Sequence, residues 1–231
     1  MKRLRHTLTA LFVALVGFSS QAQVSIGARG GVSLAKTMGN GFIENFTGEL
    51  DYIVSGNGAL FLQVPISGGL SFRPEIGYRQ SGAGITSNNL LNLIGANLPL
   101  GGSLKQRLTY IQAPMLLQYD FGYEDSPVRP YVILGPSLNY LAAGKIVSRA
   151  DLFLFQTPPT RTSIGLGSFS RFELGGAGGL GVSFDLGVAK MLIEGRYERG
   201  FTRVYDSGIV RIPVHNQSFS LLAGFSIPLG R

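Results

Sequence analysis

His215 is followed at short spacing by Ser218 and Ser220, and Asp206 lies upstream in the same polar stretch. Serine hydroxyls near a histidine base are the material of acyl transfer, provided an acid orients the imidazole. Asp206 is not in register to do so, so a solvated loop histidine remains the plainer reading. A second candidate is GAGGLG (176–181), which satisfies the glycine fingerprint of dinucleotide-binding turns. That fingerprint has meaning only where it opens a helix whose N terminus receives a pyrophosphate. Here it runs on into VSFDLG, an alternating segment, which points instead to strand curvature or close packing. Past the first 22 residues there is one histidine, no cysteine and only scattered carboxylates. Those give no metal-ligand spacing, and no cofactor is expected.

The most ordered chemical pattern is ionic. In AKMLIEGRYERG (189–200), Lys190, Glu194, Arg196 and Glu198 occupy even positions, with Ala189, Met191, Ile193, Gly195 and Tyr197 between them. Alternation of this kind is the period of a strand, whose successive side chains point to opposite faces. The pattern recurs in eight segments, at roughly 24–34, 58–66, 70–80, 108–121, 128–141, 169–184, 188–198 and 218–229. On their more polar face lie Arg29, Arg73, Glu75, Arg79, Asp120, Arg129, Arg171, Glu173, Lys190, Glu194, Arg196 and Glu198; the apolar face carries no charge until Arg199.

The connections alternate as well. SGG (67–69), GYEDSP (122–127) and DLG (185–187) are short and rich in turn residues, whereas 35–57, 81–107, 142–168 and 199–217 are long. Short and long connections on opposite rims predict an all-β fold, an eight-stranded antiparallel up-and-down transmembrane β-barrel with short periplasmic turns and long external loops. A Lys or Arg on the lipid face near the midplane would cost about 2–4 kcal/mol, so the charged face belongs inside. Arg29, Arg73, Glu75, Arg79, Arg171, Glu173, Lys190, Glu194, Arg196 and Glu198 are then expected to form a lumen charge network that plugs the interior. A selectivity filter or proton path made of the same residues is the competing reading.

Targeting and composition agree with export. Lys2, Arg3 and Arg5 precede an apolar run from Leu8 to Phe18, and Ser20-Gln21-Ala22 is a small-x-small cleavage site. Residues 1–22 are therefore expected to be a removed signal peptide and 23–231 the barrel domain. Losing those three cations lowers the formal charge from +7 to +4, a weak argument for nucleic acid, which is not an expected partner. Tyr78, Tyr119, Phe121, Tyr140, Phe169, Phe184 and Tyr197 fall near segment ends on the outward face, where aromatic rings favour the lipid–water interface. Two long connections are apolar, SNNLLNLIGANLPLGG (87–102) and ADLFLFQTPP (150–159). Their Leu90, Leu91, Leu93, Ile94, Phe153 and Phe155 are candidate contact residues, unless these loops fold over the barrel mouth and bury one another.

FRPEIGYRQSGAG (72–84), TYIQAPMLLQYDFG (109–122), PYVILGPSLNYL (130–141) and GAGGLGVSFDLGVAKMLIEGRYERGFT (176–202) resemble the PorT-like outer-membrane β-barrel family of Bacteroidota, an eight-stranded barrel domain of the OmpA/OmpX type. The likeness runs over most of the chain and rests on strand and turn patterns, with no shared catalytic motif. It implies an integral outer-membrane barrel inserted by the barrel-assembly machinery. One departure is the last strand, which closes on IPLGR rather than on an aromatic. The expected function is a non-enzymatic outer-membrane anchor whose long external loops serve interaction or structural roles, presenting a surface to a partner, matrix component or ligand. A surface or secretion-system protein is one candidate partner, and the family's secretion role is not carried over. A small or gated channel and an outer-leaflet lipid-modifying enzyme are the alternatives. A soluble periplasmic lipid-binding barrel would need the opposite distribution of polarity.

Overall fold

A computed structural model describes residues 23–38, 52–86, 100–122, 126–152, 155–156, 160–165, 170–202 and 215–230. Its strands are β1 (Ser25–Met38), β2 (Ile53–Ser67), β3 (Leu70–Thr86), β4 (Leu100–Asp120), β5 (Val128–Leu152), β6 (Phe155–Gln156), β7 (Thr160–Ser163), β8 (Phe172–Asp185), β9 (Lys190–Gly200) and β10 (His215–Pro228). Eight of them form a closed antiparallel ring in the order β1-β2-β3-β4-β5-β8-β9-β10, and β10 returns to β1 from Ser25↔Pro228 to Met38↔His215. The short β6 and β7 pair with the far end of β5. Closure satisfies every strand edge of the wall, the condition for crossing a bilayer without free amides.

Alternation decides which side each residue faces. Along β10 buried and exposed positions alternate from Asn216 to Ser226. The outer wall presents Leu60, Ile76, Met115, Leu134, Leu180, Ile193, Leu221 and Phe225, with Leu134 and Leu180 left 71% and 68% exposed. Large apolar side chains open to this degree around a whole barrel require a nonpolar surrounding. Tyr119 and Phe121 pack edge to face at 5.0 Å near the short-turn rim, and Tyr140 and Phe172 at 5.2 Å near the other. Tyr78 and Tyr197 also face outward, Phe184 is half-buried, and Phe169 lies outside the described residues.

The short turns occupy one rim. Gly68 and Gly69 join β2 to β3 with φ of 54° and 84°, the positive values a tight hairpin turn demands. Asp185 accepts the amide of Gly187 at 2.7 Å at the start of the β8–β9 turn.

At the opposite rim the strands outrun the expected segments. β3 continues to Thr86, β4 starts at Leu100 and β5 extends to Leu152, through stretches that read as connections. Beyond the bilayer no lipid enforces apolar alternation, so SLKQR (103–107) loses the sequence signal while its backbone still pairs. A bulge adds to the confusion. Thr109 pairs with Ala143 but Tyr110 with Leu141, so Ala142 is an extra residue and the parity of β5 switches there.

Candidate functional site: the interior ionic network

β3 and β9 stand four strands apart in a ring of eight, and so face each other across the lumen. β3 carries Arg73, Glu75 and Arg79 inward; β9 carries Glu194, Arg196 and Glu198. Spacing of two residues keeps each set on one face. The charge order on one wall is thereby complementary to that on the other.

The tier nearer the short turns centres on Glu75. Its carboxylate accepts from Arg29 Nε at 2.9 Å and Nη2 at 2.6 Å, and from Arg196 Nη1 at 2.8 Å and Nη2 at 2.9 Å. Arg73 Nε lies 3.1 Å away. Glu194 accepts from Arg196 Nε at 2.7 Å, Arg73 Nη1 at 3.0 Å and the Tyr131 hydroxyl at 3.0 Å. The Arg73 guanidinium also stacks over Phe61 at 4.2 Å.

The second tier, toward the long loops, centres on Glu173. It accepts from Arg79 Nη2 at 2.9 Å, Asn139 Nδ2 at 3.0 Å and Asn216 Nδ2 at 2.6 Å. Arg79 Nε is 3.7 Å from Glu198, which also accepts the Ser218 hydroxyl at 3.3 Å. Arg196 links the tiers through a 4.0 Å approach to Glu198.

Arg29, Arg73, Arg79 and Arg196 balance Glu75, Glu173, Glu194 and Glu198, so the two tiers together are neutral. Neutrality matters because one uncompensated charge in a dry interior costs several kcal/mol. The side chains of Glu75 and Arg196 have no surface open to water. At their level the lumen is filled rather than hollow.

The glycines of GAGGLG have a packing role. A Cβ on Gly181 would stand 2.2 Å from the Tyr131 ring, and one on Gly27, across the barrel in β1, 2.2 Å from Phe61. Each inward aromatic occupies room that a neighbouring glycine leaves.

Two residues expected in the network lie elsewhere. Arg171 is exposed just before β8, because the β5–β8 ladder ends at Tyr140↔Phe172 and no wall encloses the preceding residue. Lys190 is half-buried at the short-turn rim, opposite Asp185, and no ion pair joins it to the two tiers among the described residues. Asp120 and Arg129 pair with each other at 3.4 Å near the same rim. Leu90, Leu91, Leu93, Ile94 and Phe153 lie outside the described residues, and Phe155 contributes only its backbone pairing with Leu152.

Several functional groups escape a search for charges: Asn57, Tyr110, Gln112, Gln118, Tyr131, Asn139 and Asn216, all buried. Their signal was parity, since each shares the inward face with a charged or buried residue of its strand. Parity also separates His215 from the serines. Ser218 and Ser220 point inward, where Ser220 shares a 2.7 Å hydrogen bond with Ser33, while half-buried His215 sits on the alternate face.

The model of the outer membrane protein beta-barrel domain family matches residues 18–206. The chain belongs to that family. Its fold is shared with a major outer membrane protein from Thermus thermophilus, at 10% identity over 90% of this chain and 100% of that one, with a TM-score of 0.50. Neisserial surface protein A is also similar, at 17% identity, 89% and 97% coverage and a TM-score of 0.44. OprG from Pseudomonas aeruginosa gives 12% identity, 91% and 98% coverage and 0.45. No curated protein matches the chain. Family and fold assign the protein to the outer membrane.

Proposed function

We propose that this family member is a non-enzymatic outer-membrane anchor of the PorT-like branch. Its signal peptide, residues 1–22, is removed on export, and its long loops meet a surface or secretion-system protein. The observation that carries the reading is the filled lumen: Glu75 and Arg196, bonded across the barrel, are wholly shielded from water. A barrel closed at its middle offers a partner its outer rim, not a passage. The apolar segments 87–102 and 150–159 supply the contact residues.

Purified protein in planar bilayers tests the reading. Silence is expected; reproducible conductance steps that change with Glu194→Gln or Arg196→Gln would establish a channel and overturn the anchor. Deleting residues 87–99 should preserve the mobility shift between unboiled and boiled samples while abolishing capture of the partner. Loss of membrane insertion on that deletion would make the segment structural.

A further inference from the structure

Charge on the outer wall is segregated by sign. Among the described residues, the barrel-wall carboxylates Glu75, Glu173, Glu194 and Glu198 face inward, and Asp120 and Asp185 sit near the short-turn rim. At the long-loop rim the outward charges of the described side chains are all basic. Lys36 and Arg199 flank Gln217 in one row. The densest group lies on the extension of β4, β5 and β7, where Lys105 pairs with Val147 and Val147 with Arg161, while Arg107 pairs with Lys145.

Residues directly opposite in an antiparallel ladder share a face, with Cβ atoms about 4.5–5.5 Å apart. Lys105, Arg107, Lys145 and Arg161 therefore stand together on one face, and Arg107 and Lys145 are like charges directly across. Such a pair destabilises a sheet unless something neutralises it. No carboxylate does so among the described side chains; Arg149 and Asp151 lie further along β5, with side chains outside the description. The β3 partners of Arg107 and Lys105 are Gly82 and Gly84, so no side chain stands directly opposite either cation on that strand. Arg107 Nε is enclosed yet has no hydrogen-bond partner among the described residues.

Position selects the occupant. Leu108 is buried inward, so Arg107 is on the outer face, continuous with Ile111 and Tyr140 of the lipid-facing wall. Arg107 lies four residues beyond Ile111, about 13 Å along the strand and less once tilt is counted. That height is the headgroup zone above an aromatic belt.

We propose that Lys105, Arg107, Lys145 and Arg161 form a binding site for the phosphate groups of an anionic glycolipid in the outer leaflet. Guanidinium and ammonium groups would hold the phosphates by charge-assisted hydrogen bonds, and the acyl chains would lie on the apolar wall below. The inference rests on the barrel being inserted with its long loops outward.

The test is binding of diphosphorylated lipid A to the refolded barrel in detergent, with the boiling-dependent gel shift confirming the fold of every sample. Arg107→Gln combined with Lys145→Gln should weaken binding about 30-fold, each cation near an anionic surface contributing roughly fivefold. Without lipid the same variant should melt no lower than the parent, because a repulsion has been removed. Lys190→Gln, at the other rim, should bind as the parent does. If the double variant loses its gel shift, the exposed pair Lys105→Gln and Arg161→Gln takes its place. Equal binding by parent and variant, or undiminished binding of dephosphorylated lipid A, would overturn the proposal. Displacement of the lipid by a sulfated heparin fragment of equal or higher affinity would assign the patch to a soluble polyanion instead. Absence of a gel shift in the parent would count against the inserted barrel itself.

Discussion

The two tiers of the interior solve one problem by different means. Around Glu75 and Glu194, carboxylates are satisfied mainly by guanidiniums, three of them crowded against two acids. Around Glu173 and Glu198, Arg79 serves both acids with only a 4.0 Å approach of Arg196 to Glu198 beside it, and amides and hydroxyls supply much of the rest. The first tier is dense enough to seal. The second holds fewer cations, while each tier leaves some buried polar atoms without a hydrogen-bond partner among the described residues, Arg73 Nε and Asn57 Nδ2 in the first and Arg79 Nε, Arg79 Nη1 and Asn139 Oδ1 in the second. A carboxylate in a nonpolar shell needs donors, and only where several cations converge must donor and counter-charge coincide.

Removing Glu75 should break that comparison hardest. Glu75→Leu leaves Arg29, Arg73 and Arg196 facing one remaining acid, Glu194, and is expected to cost about 3–5 kcal/mol, read from the urea midpoint of unfolding in lipid vesicles. A loss of only a few tenths would mean that water reaches the tier. Leu134→Arg puts a charge on the lipid face and should cost about 2–4 kcal/mol in the same titration. Its cost should fall sharply in a detergent micelle that admits water, whereas that of Glu75→Leu should not.

Gly181→Ala forces the Tyr131 ring to move and should cost about 1–3 kcal/mol. Gly178→Ala sharpens the point. Its Cβ would face outward, 3.4 Å from Leu134 Cδ1, and near-neutral stability is expected. The tier around Glu173 should yield to the loss of a carboxylate more cheaply than the tier around Glu75. Glu173→Gln keeps an oxygen acceptor for Asn139 and Asn216 and leaves Arg79 with Glu198, but puts the interior one cation in excess, and should cost about 2–3 kcal/mol. A penalty matching that of Glu75→Leu would show that both tiers rely equally on charge.

The inward face of β9 was legible in the sequence because Glu194, Arg196 and Glu198 alternate with Ile193, Gly195 and Tyr197 without interruption. Turn chemistry was equally plain at Gly68 and Gly69. The far ends of β4 and β5 were not, since outside the bilayer the backbone pairs without any demand on side-chain polarity, and the bulge at Ala142 reverses parity where a reader relies on it. Arg171 failed for a related reason: alternation identifies a face but not where the wall ends. The basic group on β4, β5 and β7 was hidden by the same boundary, lying in stretches that read as loops.

Alternation, turn residues and the unequal lengths of the connections determined by themselves that this chain closes into an eight-stranded barrel with its charges inside. Periodicity is local, carried by neighbouring residues and the pleat of a strand. Which charges meet is not local. Arg73 and Glu194, or Arg196 and Glu75, are 121 residues apart in sequence and meet only because ring closure places β3 opposite β9. Tertiary structure alone decided that the pairing is complete enough to fill the lumen, because neutralisation across a barrel depends on which strands are diametrically opposed and how far each side chain reaches.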